Sequence, residues 1–253
     1  MLQVLDNAQN TLVLAPGRTV APPKTADVAA VPGAHPEIVS RLAHGMPLIH
    51  ARGNQSLFYR TAKRAMDIAG ATFLIVLSPL RLVTFLVLMG TTKGKPLFFQ
   101  ERIGHCGLKF KMWKFRTMCV DADSKQHLVQ NEKDGPIFKN RRDPRITRLG
   151  RILRSFSIDE TPQLFSVLVG DMALVGPRPP VEKEVVKYRP EQLGRLSIKP
   201  GLTCLWQVSG RSEIGFEEWV QMDLWYAENQ NLWTDITLLF RTPYSVLSRK
   251  GAY

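Results

Sequence analysis

The chain has 253 residues, 44% hydrophobic and 22% charged, a globular composition long enough for a sizeable core, which excludes a peptide hormone, a disulfide miniprotein and wholesale disorder. Its 34 Lys+Arg against 22 Asp+Glu give a formal charge of +12, so an anionic partner is expected; nucleic acid, acidic lipid headgroups and phosphorylated substrates all stay open on this count. Cys106, Cys119 and Cys204 form no CxxC and are odd in number, which points to neither a disulfide scaffold nor a zinc ribbon and fits a reduced, cytoplasm-facing compartment.

Residues 1–50 balance three basic residues against three acidic ones and hold six of the 17 prolines without a sustained period. They read as part of a disordered leader over 1–55 with no secretory signal, so the whole positive charge belongs to the rest of the chain. From Ile68 to Met89 run 22 residues with one charge, Arg81, long enough to cross a hydrocarbon layer of roughly 30 Å. Ser78-Pro79 falls at the middle, where proline removes a backbone donor, and a mid-bilayer arginine is costly. Both flanks are basic, with Arg60, Lys63 and Arg64 before the stretch and Lys93, Lys95 and Arg102 after it. Two cytoplasmic ends are reconciled if the helix breaks at Ser78-Pro79 and returns, giving a re-entrant membrane helix over 56–93 in which Ser78 bonds a freed carbonyl. A core helix kinked at the proline and an ordinary span are the alternatives.

A globular domain on the cytoplasmic side is expected over 94–253, the part of the chain that the motifs below make catalytic. Leu97–Arg102 and Lys109–Thr117, separated by a glycine-bearing turn, predict a small β-hairpin. Helical patterns follow over Ile146–Leu153, Asp159–Leu168, Val181–Tyr188, Phe216–Glu228 and Thr234–Leu247. The fold class is therefore α+β and mostly helical, with no alternating strand-helix series to suggest a doubly wound domain. Trp219, Met222, Tyr226 and Trp233 have the spacing of one helical stripe, read first as core and second as a headgroup-level belt. The closing segment, Leu and Phe among Arg241, Arg249 and Lys250, suggests an amphipathic interfacial helix.

Seven basic residues between Lys139 and Arg154 lead into Ser157-Ile158-Asp159-Glu160-Thr161-Pro162. Ser157 and Glu160 have capping-box spacing, which alone requires no chemistry. Beside so many cations, however, a carboxylate at a helix start stays ionised and can serve as a nucleophile or hold a hard cation. Gly176-Pro177-Arg178-Pro179 fixes an arginine on a rigid turn, suited to gripping phosphate. Asp121-Ala-Asp123 reads as a solvated turn, and no GxSxG, GxGxxG, GxxxxGK or HExxH is present.

Taken in order, these blocks resemble the bacterial sugar transferase family, the monotopic polyprenyl-phosphate phosphoglycosyl transferases that begin exopolysaccharide or O-antigen synthesis. The resemblance covers about residues 60–212 and is carried by Lys63-Arg64 with Asp67, Ser78-Pro79, Phe98 to Gly104, Lys114 to Met118, Thr147 to Arg151, Ser157 to Leu164, Gly170 to Met172, Val175 to Pro179, Lys199 to Thr203 and Gln207 to Arg211. It implies that Asp159 attacks the β-phosphorus of a UDP-sugar, releasing UMP, and that undecaprenyl phosphate takes the phosphosugar at the cytoplasmic face of the bacterial inner membrane. It further implies that Glu160 helps hold Mg²⁺, that Arg178 grips phosphate, and that Lys63 and Arg64 face lipid phosphate. Lys114, Arg116 and Arg211 are further phosphate or substrate ligands on the same ground. Anionic lipids and the two substrates are then the partners, nucleic acid is not, and a homo-oligomer stays open. Cys204 departs from the family's usual glycine. The competing readings are a basic membrane-associated module without turnover and a direct transfer without a covalent intermediate.

Overall fold

The structure, a computed structural model, describes residues 56–77, 79–249 and 251. The leader expected over 1–55 and the helix-breaking Ser78 lie outside the described residues.

The apolar stretch forms two helices, α1 (Leu57–Leu77) and α2 (Leu80–Thr91), bent by 58° at the break. Neither is long and apolar enough to cross a membrane alone, so the path expected for a re-entrant segment reduces to a bent pair. Arg81 and Pro79, which count against a straight span, offset one another. An N–H at position 79 would have served the Ile75 carbonyl; proline lacks it, and the Arg81 guanidinium donates instead to the Leu74 and Ile75 carbonyls, the former at 2.9 Å. Phe73, Val76, Leu82, Leu86 and Met89 are all more than half exposed along this pair.

The hairpin forms as its alternation predicts: β1 (Leu97–Ile103) pairs antiparallel with β2 (Lys109–Phe115), in a register running from Leu97 opposite Phe115 to Ile103 opposite Lys109. Side chains alternate between faces, so Phe98 with Lys114 and Arg102 with Phe110 share one face. Leu88 of α2, Phe115 of β2 and Leu153 of α3 (Arg148–Ser155) make a small core that docks the bent pair on the hairpin. Thr147 caps α3 by accepting the Gly150 N–H.

The helix expected over Asp159–Leu168 divides into a 3-10 helix, Ile158–Gln163, and α4 (Leu164–Val169). The capping box does not form. Ser157 is left-handed, with φ 55°; its N–H is taken by the Arg154 carbonyl, and the Glu160 carboxylate is drawn to Lys114 instead of back to the chain.

Beyond α4, β3 (Ala173–Val175) pairs parallel with β4 (Gly201–Thr203), a sheet too short to carry a period. Glycine is required here: a Cβ on Gly201 would stand 2.0 Å from the Gly176 nitrogen. Between these strands α5 covers only Glu182–Val185, and a 3-10 helix runs from Pro190 to Ser197. The closing helices are α6 (Leu205–Ser209), α7 (Phe216–Asn229) and α8 (Leu232–Ser248). Trp219, Met222 and Tyr226 are buried on α7, but Trp233 is 67% exposed, because Asn231 caps a new helix and interrupts the stripe. One core centres on Tyr188, Trp206, Phe216 and Trp219, and another joins α1, α4, β3, α7 and α8 through Ala71, Val167, Leu174, Tyr226 and Leu238. Phe240, Tyr244 and Leu247 leave an apolar row exposed on α8.

Candidate active site

The left-handed Ser157 turns the chain sharply out of α3: Ile158 packs back on the small core beside Leu153, and Asp159 and Glu160 line a cleft of about 940 Å³. Cationic side chains outnumber carboxylates among its lining residues. Asp159 is 7% exposed and lies beside Glu160 on the 3-10 helix, against which β2 packs. From β2, Lys114 Nζ donates to Glu160 Oε1 at 2.7 Å. Arg102 stands on the same face of the hairpin, donating to the Pro179 carbonyl at 3.0 Å and to Gln100 Oε1 at 2.7 Å. From the end of α3, Arg154 donates to Thr117 Oγ1 at 2.9 Å.

The two carboxyls are driven apart. Burial and the adjacent Glu160 charge push Asp159 up to about 6, against the pull of Lys114 and Arg154. Glu160 is held below the usual carboxylate range: burial opposes this, but Lys114, Arg178 and Arg102 outweigh it. The expectation of two comfortably ionised acids is thereby refined. Desolvation at Asp159 exceeds the help of the cations, so that group is the more basic of the pair. Burial lowers Lys114 from its ordinary value, while the carboxylates hold it up.

Arg178 sits where the rigid turn was expected. Gly176 N–H donates to the Thr203 carbonyl at 3.0 Å and Gly201 N–H to the Pro177 carbonyl at 2.9 Å, while Arg195 Nη2 reaches the Arg178 carbonyl at 3.3 Å. Its guanidinium lies 5.8 Å from the Trp219 ring centroid, and that of Arg195 lies 4.9 Å from the same ring. Arg195 is itself buried and paired with Asp223. Arg116 lines the cleft, its Nε donating to the Lys95 carbonyl at 2.8 Å and its guanidinium 5.5 Å from the Phe98 ring centroid. Arg211 lines it as well, with a left-handed φ of 52° and Nε donating to Ser245 Oγ at 3.2 Å. Six sequence candidates therefore meet in one cleft: Lys114, Arg116, Asp159, Glu160, Arg178 and Arg211.

Lys63 and Arg64 do not line it. Lys63 Nζ donates to Asp235 Oδ2 at 3.0 Å and to the Val175 carbonyl at 3.2 Å, beneath the strand that leads to Arg178. Tyr59 and Tyr226 hydroxyls converge on the same Asp235. Arg64 donates to the Val167 and Leu168 carbonyls, both at 2.6 Å, at the end of α4, where a cation satisfies the last acceptors of the helix that follows the acidic pair. Both residues engage protein partners, a clasp between α1 and the catalytic elements. Cys204 sits in extended backbone and its thiol donates to Gln207 Oε1 at 3.0 Å, so this position imposes no strained turn.

Sequence reading gave no site role to Arg102, Arg154 or Lys139, all lining the cleft. Lys139 contacts Ser212, sits 5.4 Å from the Trp206 ring centroid and is lowered to about 7 by burial and by Arg178 and Lys133. The signal for Arg102 was available: it alternates with Phe98 and Gln100 on the inner face of a strand.

The donor set also bears on Mg²⁺. No group of three or more His, Cys, Asp or Glu side chains converges among the described residues. Mg²⁺ is commonly held by one or two carboxylates together with substrate phosphates, and the adjacent Asp159 and Glu160 fit that sparse set.

The sequence profile described as bacterial sugar transferase matches residues 58–249. The chain is 43% identical over 202 residues to the UDP-galactose-lipid carrier transferase of Erwinia amylovora, covering 77% of this chain and 42% of that protein. It is 43% identical over 205 residues to the undecaprenyl-phosphate galactose phosphotransferase of Salmonella typhimurium, again 77% of this chain and 42% of the relative. The chain thus spans less than half the length of these two. Against the exopolysaccharide production protein ExoY of Sinorhizobium fredii it is 39% identical over 203 residues, 76% of this chain and 88% of that protein. A profile match from the first turn of α1 to the end of α8, with a relative covered almost throughout, places this chain in the bacterial sugar transferase family.

Proposed function

We propose that the protein moves a hexose-1-phosphate, glucose or galactose, from a UDP-sugar to undecaprenyl phosphate as the first step of surface polysaccharide synthesis. The observation that carries this is the buried Asp159 beside the half-buried Glu160, the two split in basicity, in a cleft ringed by cations. The names of the relatives support the substrate classes.

In the first half-reaction an Asp159 carboxylate oxygen bonds to the β-phosphorus, and the bond from that phosphorus to the bridging oxygen of UMP breaks, with the electron pair leaving on UMP. In the second, a phosphate oxygen of undecaprenyl phosphate bonds to the same phosphorus and the aspartyl carboxylate departs. Two displacements at one centre let a membrane-bound acceptor and a soluble donor use the same cleft in turn. The raised basicity of Asp159 makes it the better nucleophile of the pair, yet leaves it mostly ionised near neutral pH. Glu160 stays ionised, pairs with Lys114 and so keeps that ammonium in the cleft. Arg178, Arg102 and Arg116 supply planar donors for phosphate oxygens. When bound by Glu160 and Asp159, Mg²⁺ would neutralise charge on the diphosphate.

The bent α1–α2 pair, the exposed apolar row on α8 and the basic surface support a monotopic seat on the cytoplasmic face of the inner membrane, with α1–α2 re-entrant. Cysteines placed at the exposed Phe58 and Lys93 are expected to react with an impermeant label from the same side; opposite-side labelling contradicts the re-entrant path. For the reaction, the full chain in detergent with undecaprenyl phosphate and a panel of UDP-sugars is expected to release UMP, and Asp159→Asn to abolish that release. Turnover that persists in Asp159→Asn overturns the assignment.

A further inference from the structure

Among the described residues only Cys106, Ser157, Arg211 and Arg249 are non-glycine residues with positive φ. The first belongs to the hairpin turn; the other three gather around the cleft. Ser157 introduces the acidic pair, Arg211 is a cleft cation, and Arg249 ends α8. Left-handed backbone is unfavourable for residues with a Cβ, so each such turn needs neighbours that over-determine it.

Those neighbours come from one short segment. The left-handed Arg249 turns the chain back toward the cleft and sets its guanidinium 4.0 Å from the ring centroid of Phe156, the residue before Ser157. Two residues later the Gly251 carbonyl accepts the Ser212 N–H at 3.4 Å, directly after Arg211. Gly251 has φ 65°, and a Cβ there would lie 2.7 Å from the Gly210 oxygen and 2.9 Å from the Ser212 nitrogen. Both obstacles are backbone, so only glycine fits. The same loop is gripped from within α8: Ser245 Oγ accepts from Arg211 and donates to the Gln207 carbonyl at 2.7 Å.

We infer that Arg249 and Gly251 are positioning residues, a brace that sets the strained turn before Asp159 and the strained loop of Arg211 against each other. One end of a helix thereby fixes the distance between the acidic pair and a phosphate-gripping cation. Arg249 acts through Phe156 on the orientation of Asp159; Gly251 acts through Ser212 on the placement of Arg211. The link to catalysis rests on the proposed function; the brace itself does not.

Amide hydrogen exchange over 156–160 and 210–214 tests the brace in the full chain in detergent, comparing wild type with Arg249→Ala, Arg249→Lys and Gly251→Ala. Both Arg249→Ala and Gly251→Ala are expected to exchange several-fold faster in both segments, with the hairpin unchanged and Arg249→Lys close to wild type. Unchanged exchange, faster exchange in one segment only, or equally faster exchange throughout the chain overturns the inference. UMP release on the same samples gives the catalytic consequence: Arg249→Ala and Gly251→Ala each lower kcat/KM for the UDP-sugar about tenfold, and Arg249→Lys stays close to wild type. Unchanged kcat/KM in both variants contradicts the positioning role. A wild type that releases no UMP defeats the proposed function, and exchange still decides the brace.

Discussion

Two lysine–carboxylate pairs in this fold are built in opposite ways. In the clasp under α1, Lys63 meets Asp235 at 3.0 Å, and the aspartate, fully buried, is also met by the hydroxyls of Tyr59 and Tyr226. In the cleft, Lys114 meets Glu160 at 2.7 Å, but the second carboxylate, Asp159, stands beside it, and the surrounding donors are cations. The first pair is met by two neutral hydroxyls, and the group joins α1, α7 and α8. The second leaves like charges in conflict and cations in excess, a field that a diphosphate would complete. Placement of a buried ion pair therefore says little until its remaining partners are counted.

The strongest test of this contrast breaks each pair in turn. Lys63→Met leaves Asp235 buried without its cation and is expected to destabilise the fold by roughly 3 kcal/mol, read from denaturant unfolding in detergent. Lys114→Met is expected to cost little stability but to lower kcat for UMP release on the order of a hundredfold. Equal stability losses in the two variants would erase the distinction. A smaller effect is expected at Arg178: Arg178→Lys keeps the charge but loses the planar fork and its contact with Trp219, raising KM for the UDP-sugar roughly tenfold.

Protonation sharpens the comparison further. Because Asp159 must be ionised to attack and its carboxyl is raised to about 6, kcat/KM is expected to fall as pH drops through that value. Lys114→Met removes a stabilising cation and moves this acid limb upward. The smallest effect concerns stability. A raised folded-state value means that ionised Asp159 opposes folding above about pH 6, an opposition that vanishes once the carboxyl is protonated in both states, below the ordinary aspartate range. Asp159→Asn is therefore expected to raise the melting temperature slightly at neutral pH and not at acid pH, as thermal scans at both would register.

The parts of this fold visible in the sequence are those with a period or a local breaker. The hairpin, α3, α7 and α8 follow alternation and helical spacing, though the Asn231 cap that splits α7 from α8 went unread. The parallel β3–β4 pair was illegible because three-residue strands show no alternation and their pairing is decided by the close approach of Gly176 and Gly201. Ser157 was misjudged for a related reason: its capping spacing is local, but Lys114, from a distant strand, claims Glu160. Lys63 and Arg64 were legible as a basic pair, but their partners come from α8, β3 and α4, which no spacing along α1 reveals. The acidic pair and Arg178 could be read because each sits in a block carrying its own turn chemistry, whereas Lys114, Arg116 and Arg211 were implied only by the family resemblance and Arg102, Arg154 and Lys139 were missed.

The most direct measurement is mass spectrometry of the full chain after rapid mixing with UDP-sugar in the absence of undecaprenyl phosphate. The account predicts one added hexose phosphate on the peptide bearing Asp159, formed together with UMP and discharged when undecaprenyl phosphate is added. UMP release at full rate, dependent on undecaprenyl phosphate and with Asp159 unmodified at every time point, would contradict it.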